Sequence, residues 1–180
     1  MKSITLDDYK DKYECMSFER EDGILVARIH RANDPKRPVV WGAVEHEEMS
    51  HCFNDIARDH ENQCVILTGT GDEFIGEDLG GGMTVFAVEP AAWNQVYHDG
   101  RYLQMNLLSI EVPMIAAVNG PALAHSELAL LCDIVICSQN ASFQDKVHFP
   151  NGNVPGDGVH VIWPMLLGPS GNTVHLRWFL

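Results

Sequence analysis

Three short apolar runs, separated by segments with helical spacing, most constrain the fold of this chain. The runs are Cys64–Leu67, Met114–Val118 and Ile134–Cys137. Short apolar runs bounded by turn residues predict strands, and Met114–Val118 is predicted to be a buried one. Strands that alternate with helices favour an α/β fold, in which ligands bind where parallel strands end. Because Gly, His and Asp follow these runs, the loops after the strands are predicted to hold the site.

The remaining elements follow from turn residues and spacing. A polar Glu-Asp-Gly segment between two strand-like runs predicts a hairpin. Apolar residues at helical spacing, or a proline in a first turn, predict helices. The hairpin strands are Cys15–Glu19 and Ile24–His30, and the helices are Val44–Asp59, Pro90 to Leu108, Glu127–Leu131, Val159–Leu166 and one that begins near Ser170. Three consecutive glycines, Gly80 to Gly82, predict a mobile segment.

Charge and cysteine content exclude several classes of function. The chain has 180 residues, with 12 Lys+Arg against 25 Asp+Glu, and a net charge of −13. A chain without a basic cluster is not predicted to bind nucleic acid or an anionic membrane surface. Residues 1–14 are polar and lack the apolar core of a secretory signal, and no apolar stretch approaches the roughly 20 residues of a membrane helix. Five cysteines without a C-x-x-C motif predict buried, reduced thiols and a cytoplasmic protein.

His148 and Asp157 form the first candidate for catalysis. They are nine residues apart, and Gly- and Pro-rich turns between them can bring the side chains together. A carboxylate that binds an imidazole fixes its tautomer and stabilises the imidazolium, as general-base catalysis requires. The alternative is a solvent-exposed histidine and an aspartate that only forms a turn.

Two further candidates lie elsewhere in the chain. His125 is at the start of a short predicted helix after a buried strand, where it can project a donor into a pocket. Alternatively it is a surface residue of that helix. Trp41 follows the strand-like Val39-Val40, and its indole N–H can only donate. The alternative for Trp41 is an aromatic side chain of the core or its rim.

No metal site and no organic cofactor are predicted. The segment HEEMS at residues 46–50 begins like H-E-x-x-H but has Ser50 where the second histidine is required. His46 and its neighbours are therefore predicted to be solvent-exposed helix residues. Ser126, beside His125, lacks the G-x-S-x-G context of a nucleophile elbow. No Lys-Ser/Thr follows the glycines at 80–82, so they do not form a phosphate-binding loop.

The chain resembles the crotonase (enoyl-CoA hydratase/isomerase) superfamily in three segments, IEVPMIAAVNGPALAHSELALLCDIVICSQNASF, VPGDG and CVILTGTGDEF. The resemblance extends from about Tyr13 to Leu180. It implies a crotonase-like ββα spiral core, with parallel sheets flanked by helices, as one catalytic core over residues 1–180. It also implies chemistry that stabilises an enolate.

Departures from the superfamily pattern resemble one branch, 6-oxocamphor hydrolase and related β-diketone hydrolases. Members that process acyl-CoA usually have glycines where this chain has Ala124-His125-Ser126, and a glutamate where it has His148. By this resemblance, His148 oriented by Asp157 is the expected base, and His125 and Trp41 are the expected donors to the diketone oxygens. The implied reaction is retro-Claisen cleavage of a 1,3-diketone to a keto acid, without coenzyme A, metal or cofactor.

Related chains continue past Leu180, so the resemblance implies a core truncated at its C-terminus, with a C-terminal helical part missing. A complete chain is expected to form a homotrimer or a dimer of trimers, with a small-molecule diketone as its substrate. Lys146 is the only basic residue between Arg101 and Arg177, which favours a neutral ketone over anionic coenzyme A. Two alternatives stay open: an acyl-CoA hydratase, isomerase or hydrolase, and an inactive fragment or oligomerisation module.

Overall fold

The computed structural model describes residues 4–78, 89–148, 154–155 and 158–168. Its strands are β1 Met16–Glu21, β2 Ile24–Ile29, β3 Val40–Trp41, β4 Cys64–Thr68, β5 Glu77–Asp78, β6 Met114–Val118 and β7 Ile134–Cys137. Its helices are α1 Leu6–Tyr9, α2 Ala43–Arg58, α3 Pro90–Leu108, α4 Glu127–Leu130 and α5 Val159–Leu167. The strands and helices predicted within the described residues are confirmed, with bounds that differ by a few residues at most.

The main sheet has five strands in the order β1-β2-β4-β6-β7. β1 and β2 form the predicted antiparallel hairpin, and its turn residues Asp22 and Gly23 have φ angles of 48° and 79°. The four strands β2, β4, β6 and β7 run parallel to one another. A second, two-stranded sheet pairs β3 with β5 in parallel. The predicted α/β fold, a parallel sheet flanked by helices, is therefore confirmed.

Helix α2 shows why its sequence folds as it does. Its apolar residues recur at helical spacing, and Met49, Cys52, Phe53 and Ile56 are all buried. This face joins the main hydrophobic core, and α2 also packs against α3. Because burial of a large apolar side chain stabilises the fold by about 1.5–3 kcal/mol, this stripe determines how α2 is oriented.

The Asn119-Gly120 pair after β6 holds the loop after β4 in place. The Asn119 side chain accepts a hydrogen bond from Gly69 N at 3.0 Å and donates to the carbonyls of Gly71 and Glu73 at 2.8 and 3.0 Å. Gly120 packs so closely that a Cβ atom there would lie 1.6 Å from the Asp72 carbonyl oxygen. The two loops at the ends of neighbouring parallel strands are thus fastened together.

Two expectations lie outside the described residues. They are the mobility of the glycines at 80–82 and the helix that begins near Ser170. Among the helices that the structure describes, none is long and apolar enough to cross a membrane.

Candidate active site

Backbone hydrogen bonds beyond the ends of the strands bring two predicted site residues together. Leu123 N donates to the carbonyl of Ile75 at 2.7 Å, and Lys146 N donates to the carbonyl of Leu123 at 2.8 Å. The segment after β6 therefore lies between the segments after β4 and β7. His125 follows the middle segment and His148 follows the last, so both emerge on the same side of the fold.

Trp41, His125 and His148 line a cavity of about 650 Å³. Trp41 ends β3, His125 precedes α4, and His148 follows the loop after β7. All three are largely buried, with 3%, 3% and 6% of their surface exposed. Asp157, the fourth predicted site residue, lies outside the described residues. Three of the four candidates thus converge on one space, while the catalytic role assigned to each stays a prediction.

The rings in this cavity are in direct contact or nearly so. The centroids of Trp41 and His125 are 4.3 Å apart, with their planes tilted by 38°. His125 and His148 are 6.3 Å apart and meet edge to face at 73°. A substrate oxygen held by Trp41 and His125 would therefore lie beside the His148 imidazole.

A carboxylate binds His148, and it belongs to Asp145. The Oδ1 atom of Asp145 lies 2.8 Å from His148 Nδ1 and accepts the backbone N–H of His148 at 3.2 Å. The sequence interpretation missed Asp145, although the D-x-x-H spacing places the two side chains within reach across a single turn. With Nδ1 bound to Asp145, proton transfer from water would run through Nε2, as in other carboxylate-supported histidines.

The prediction that His46 is a solvent-exposed helix residue is wrong. Only 8% of its surface is exposed, because α2 turns this side toward the cavity. Its ring centroid lies 5.3 Å from that of His125 and 6.0 Å from that of Trp41. His46 was predicted to be exposed because its H-E-x-x-H motif lacks the second histidine. Its burial depends on tertiary packing, which the motif does not report. Among the described residues, no cluster of three or more His, Cys, Asp or Glu is suited to hold a metal.

His125 has an unusual backbone conformation and a hydrogen-bonded carboxylate partner. Its φ angle is +44°, in the left-handed region that favours glycine. Its Nδ1 atom is 2.6 Å from Oε1 of Glu127, which also accepts the side-chain N–H of Gln104 at 3.2 Å. Neither Glu127 nor Gln104 is among the site residues predicted from the sequence. The E in "AHSELAL" is a signal for the first, but Gln104 comes from a distant helix and carries none.

Ser126 does not reach the cavity. It is fully buried, and its hydroxyl donates to the carbonyl of Gln144 at 3.3 Å. It therefore contributes to the local fold beside His125 and is not a candidate nucleophile.

Few charges face the cavity. Among the described residues that line it, Arg101 is the cation and Glu47 and Asp99 are the carboxylates. Apolar side chains form much of the remaining wall, including those of Val96, Met105, Leu108, Val147, Val161 and Ile162. Such a wall suits a compact organic molecule with a few oxygen atoms.

The chain is similar to a protein family and to several known proteins. The family model for enoyl-CoA hydratase/isomerase matches residues 23–174. The chain is 32% identical over 164 residues to carnitinyl-CoA dehydratase of Citrobacter koseri, covering 87% of this chain and 58% of that protein. It is 35% identical over 145 residues to short-chain-enoyl-CoA hydratase of Clostridium acetobutylicum, covering 78% and 52%. The chain thus spans little more than half the length of these curated relatives.

A solved structure is similar over most of the chain. It is a β-diketone hydrolase from the cyanobacterium Anabaena sp. PCC 7120, bound to (S)-3-oxocyclohexyl acetic acid. The match has a TM-score of 0.83 and 44% sequence identity, and it covers 89% of this chain and 63% of that one. The identity is higher than to either of the two curated relatives described above.

Proposed function

Since the chain belongs to the enoyl-CoA hydratase/isomerase family of the crotonase superfamily, we propose that it hydrolyses a carbon–carbon bond of a cyclic 1,3-diketone. The reaction is a retro-Claisen cleavage that yields a keto acid and needs no coenzyme A. The observation that carries the proposal is the convergence of Trp41, His125 and His148 on one cavity. The similarity to a β-diketone hydrolase supports it.

The proposed steps use only water and the side chains of the cavity. His148 takes a proton from water, and the water oxygen forms a bond to one carbonyl carbon of the diketone as the C=O π electrons move onto the carbonyl oxygen. The C=O double bond then forms again, and the bond between that carbon and the central carbon breaks. Its electron pair moves onto the second carbonyl as an enolate, and the proton returns from His148 to the central carbon. The products are a carboxylic acid and a ketone, which for a ring are one keto acid.

Trp41 and His125 would bind the oxygens on which negative charge develops. A positioned donor of this kind contributes about 3–4 kcal/mol, and a general base accelerates its step about 10²–10⁴-fold. His148 suits the second role because Asp145 lies 2.8 Å from its Nδ1 atom and orients the ring. The predicted contact of Asp157 with this histidine stays a prediction, because Asp157 lies outside the described residues.

The charge of the cavity supports a neutral substrate. The described lining has two carboxylates, Glu47 and Asp99, and one guanidinium, Arg101. Coenzyme A carries several phosphate charges, which such a lining does not attract. A diketone brings no formal charge and carries its own electron sink in the second carbonyl.

The test is incubation with a panel of monocyclic and bicyclic 1,3-diketones. Loss of the ultraviolet absorbance of the enol and appearance of a keto acid by mass spectrometry are expected. His148→Ala should lower kcat at least 100-fold, since about 10²–10⁴-fold is typical of a general base. His60→Ala removes an exposed histidine away from the cavity and serves as the matched control.

Two results would count against the proposal. Full activity of His148→Ala would show that another group is the base. No cleavage of any diketone by a folded wild-type protein would contradict the reaction itself.

Hydration of an acyl-CoA ester is the second candidate, favoured by the names of the two curated relatives. Calorimetry with coenzyme A and crotonyl-CoA separates the two functions. Micromolar binding together with hydration of crotonyl-CoA would support this candidate and displace the diketone.

A further inference from the structure

Glu127 is a buried carboxylate to which the proposed reaction gives no role. It is the first residue of α4, and only 1% of its surface is exposed. Its Oε1 atom lies 2.6 Å from His125 Nδ1 and accepts the Gln104 amide N–H at 3.2 Å. An ionised carboxylate buried this deeply is costly unless a charged hydrogen-bond partner compensates it. The nearest candidate for that partner is His125.

The hydrogen bonds constrain where the protons of His125 are. An ionised carboxylate only accepts, so His125 Nδ1 must donate to Oε1. A neutral imidazole with its proton on Nδ1 has no proton on Nε2 and could not donate to a substrate oxygen. With Glu127 ionised, His125 can bind it and act as a donor on its other side only as an imidazolium.

The surroundings of His125 favour this cation. The Trp41 ring lies 4.3 Å away, and a cation within about 6 Å of a tryptophan ring is attracted to it. His46 and His148 are the other titratable rings, at 5.3 and 6.3 Å. The charged residues Glu47, Asp99 and Arg101 also line the cavity.

The two histidine–carboxylate pairs differ in a way that suits different roles. Nδ1 and the carboxylate oxygen are 2.6 Å apart in the His125–Glu127 pair, and the side chains are 3% and 1% exposed. The His148–Asp145 pair is longer, at 2.8 Å, and more exposed, at 8% and 10%. Asp145 also receives a backbone N–H, which stabilises its charge without a protonated imidazole. His148 can therefore be neutral and act as a base while His125 is charged.

We infer that Glu127, held by Gln104, is a positioning residue that keeps His125 doubly protonated. Nδ1–H then binds Glu127, and Nε2–H is the donor that meets the developing negative charge of the substrate. The use of that donor rests on the proposed function. The charge of His125 does not, and can be measured without a substrate.

The test is nitrogen-15 NMR of the full chain labelled at histidine, at about pH 7.5, where an ordinary histidine with pKa about 6.5 is mostly neutral. The His125 signals are assigned by their loss in His125→Asn. Both ring nitrogens of wild-type His125 should have the shifts of an imidazolium, and Glu127→Gln should convert them to those of a neutral ring. Glu111→Gln changes an exposed glutamate and should leave them unchanged.

Kinetics add a second readout. Glu127→Gln should lower kcat about 10- to 100-fold with little change in KM, because loss of a donor altogether costs about 10²–10³-fold and acts in the transition state. Neutral shifts for wild-type His125 would overturn the inference, whether or not Glu127→Gln folds. Imidazolium shifts in a protein that cleaves no diketone would uphold it and reject the proposed reaction.

Discussion

Substitution of Gly158 by alanine should disturb the site from the start of α5. Gly158 has a φ angle of +122°, and a Cβ atom there would lie 1.8 Å from Oε1 of Gln104. A left-handed backbone of this kind costs a residue with a side chain about 1–3 kcal/mol. Gln104 must also move, and its hydrogen bond to Glu127 would be lost. A hydrogen bond to a charged group contributes about 1.5–3 kcal/mol.

Gly168→Ala provides the matched control. Gly168 has a φ angle of +74°, and none of the described residues has an atom within 4 Å of its Cβ position. Alanine at position 168 would therefore have a strained backbone but no steric clash. The difference in the free energy of unfolding between Gly158→Ala and Gly168→Ala should therefore be about 1.5–3 kcal/mol, the energy of the lost hydrogen bond.

Urea unfolding of the two variants measures this difference from the midpoints at constant m value. A double-mutant cycle with Gln104→Ala separates the two causes, because alanine at position 104 removes the atom that Cβ would meet. Gly158→Ala should then cost only its backbone strain. Equal stabilities for the two glycine variants, or a coupling to Gln104 below about 0.5 kcal/mol, would refute this reasoning.

Three further outcomes are expected. Asn119→Ala should lower the free energy of unfolding by about 2–4 kcal/mol in urea, since three hydrogen bonds to the loop after β4 are lost, whereas the exposed Asn54→Ala should change it little. Burial raises the pKa of Glu45 above its ordinary value of 4.5, so the native state binds the carboxyl proton more tightly than the unfolded state does. The free energy of unfolding therefore falls as pH rises above 4.5. Glu45→Gln should therefore gain stability relative to wild type as pH rises above 4.5, and a constant difference would contradict the assignment. Burial also raises the pKa of Cys132 to about 12, and two other thiols are fully buried, so at most two of the five cysteines should react with a thiol reagent before unfolding.

Strands and helices could be predicted because their signals are local. The run from Met114 to Val118 is apolar throughout, as expected of a strand buried on both faces, and the turn at Asp22 and Gly23 supplies the positive φ angles of a hairpin. The helical spacing in α2 predicted its buried face as well. These patterns depend only on neighbours in the sequence, which is why the elements predicted from them agree with the structure.

The candidate site was only partly predictable. Trp41, His125 and His148 drew attention through their positions after strands and through the family resemblance. His46 was predicted to be solvent-exposed because the H-E-x-x-H motif is incomplete, yet tertiary packing buries its side chain beside His125. Gln104 is 23 residues from Glu127, and no local pattern connects them.

The sequence by itself determined the α/β fold, the family and three of the residues that meet in the cavity. Only the tertiary structure decided which carboxylates lie against which imidazoles: Asp145 on His148 and Glu127 on His125. The physical reason is that apolar periodicity reports burial along one element, whereas charge pairing depends on distances across elements and loops. A hydrogen bond of 2.6 Å or 2.8 Å exists only once parallel strands have brought those loops to the same edge of the sheet.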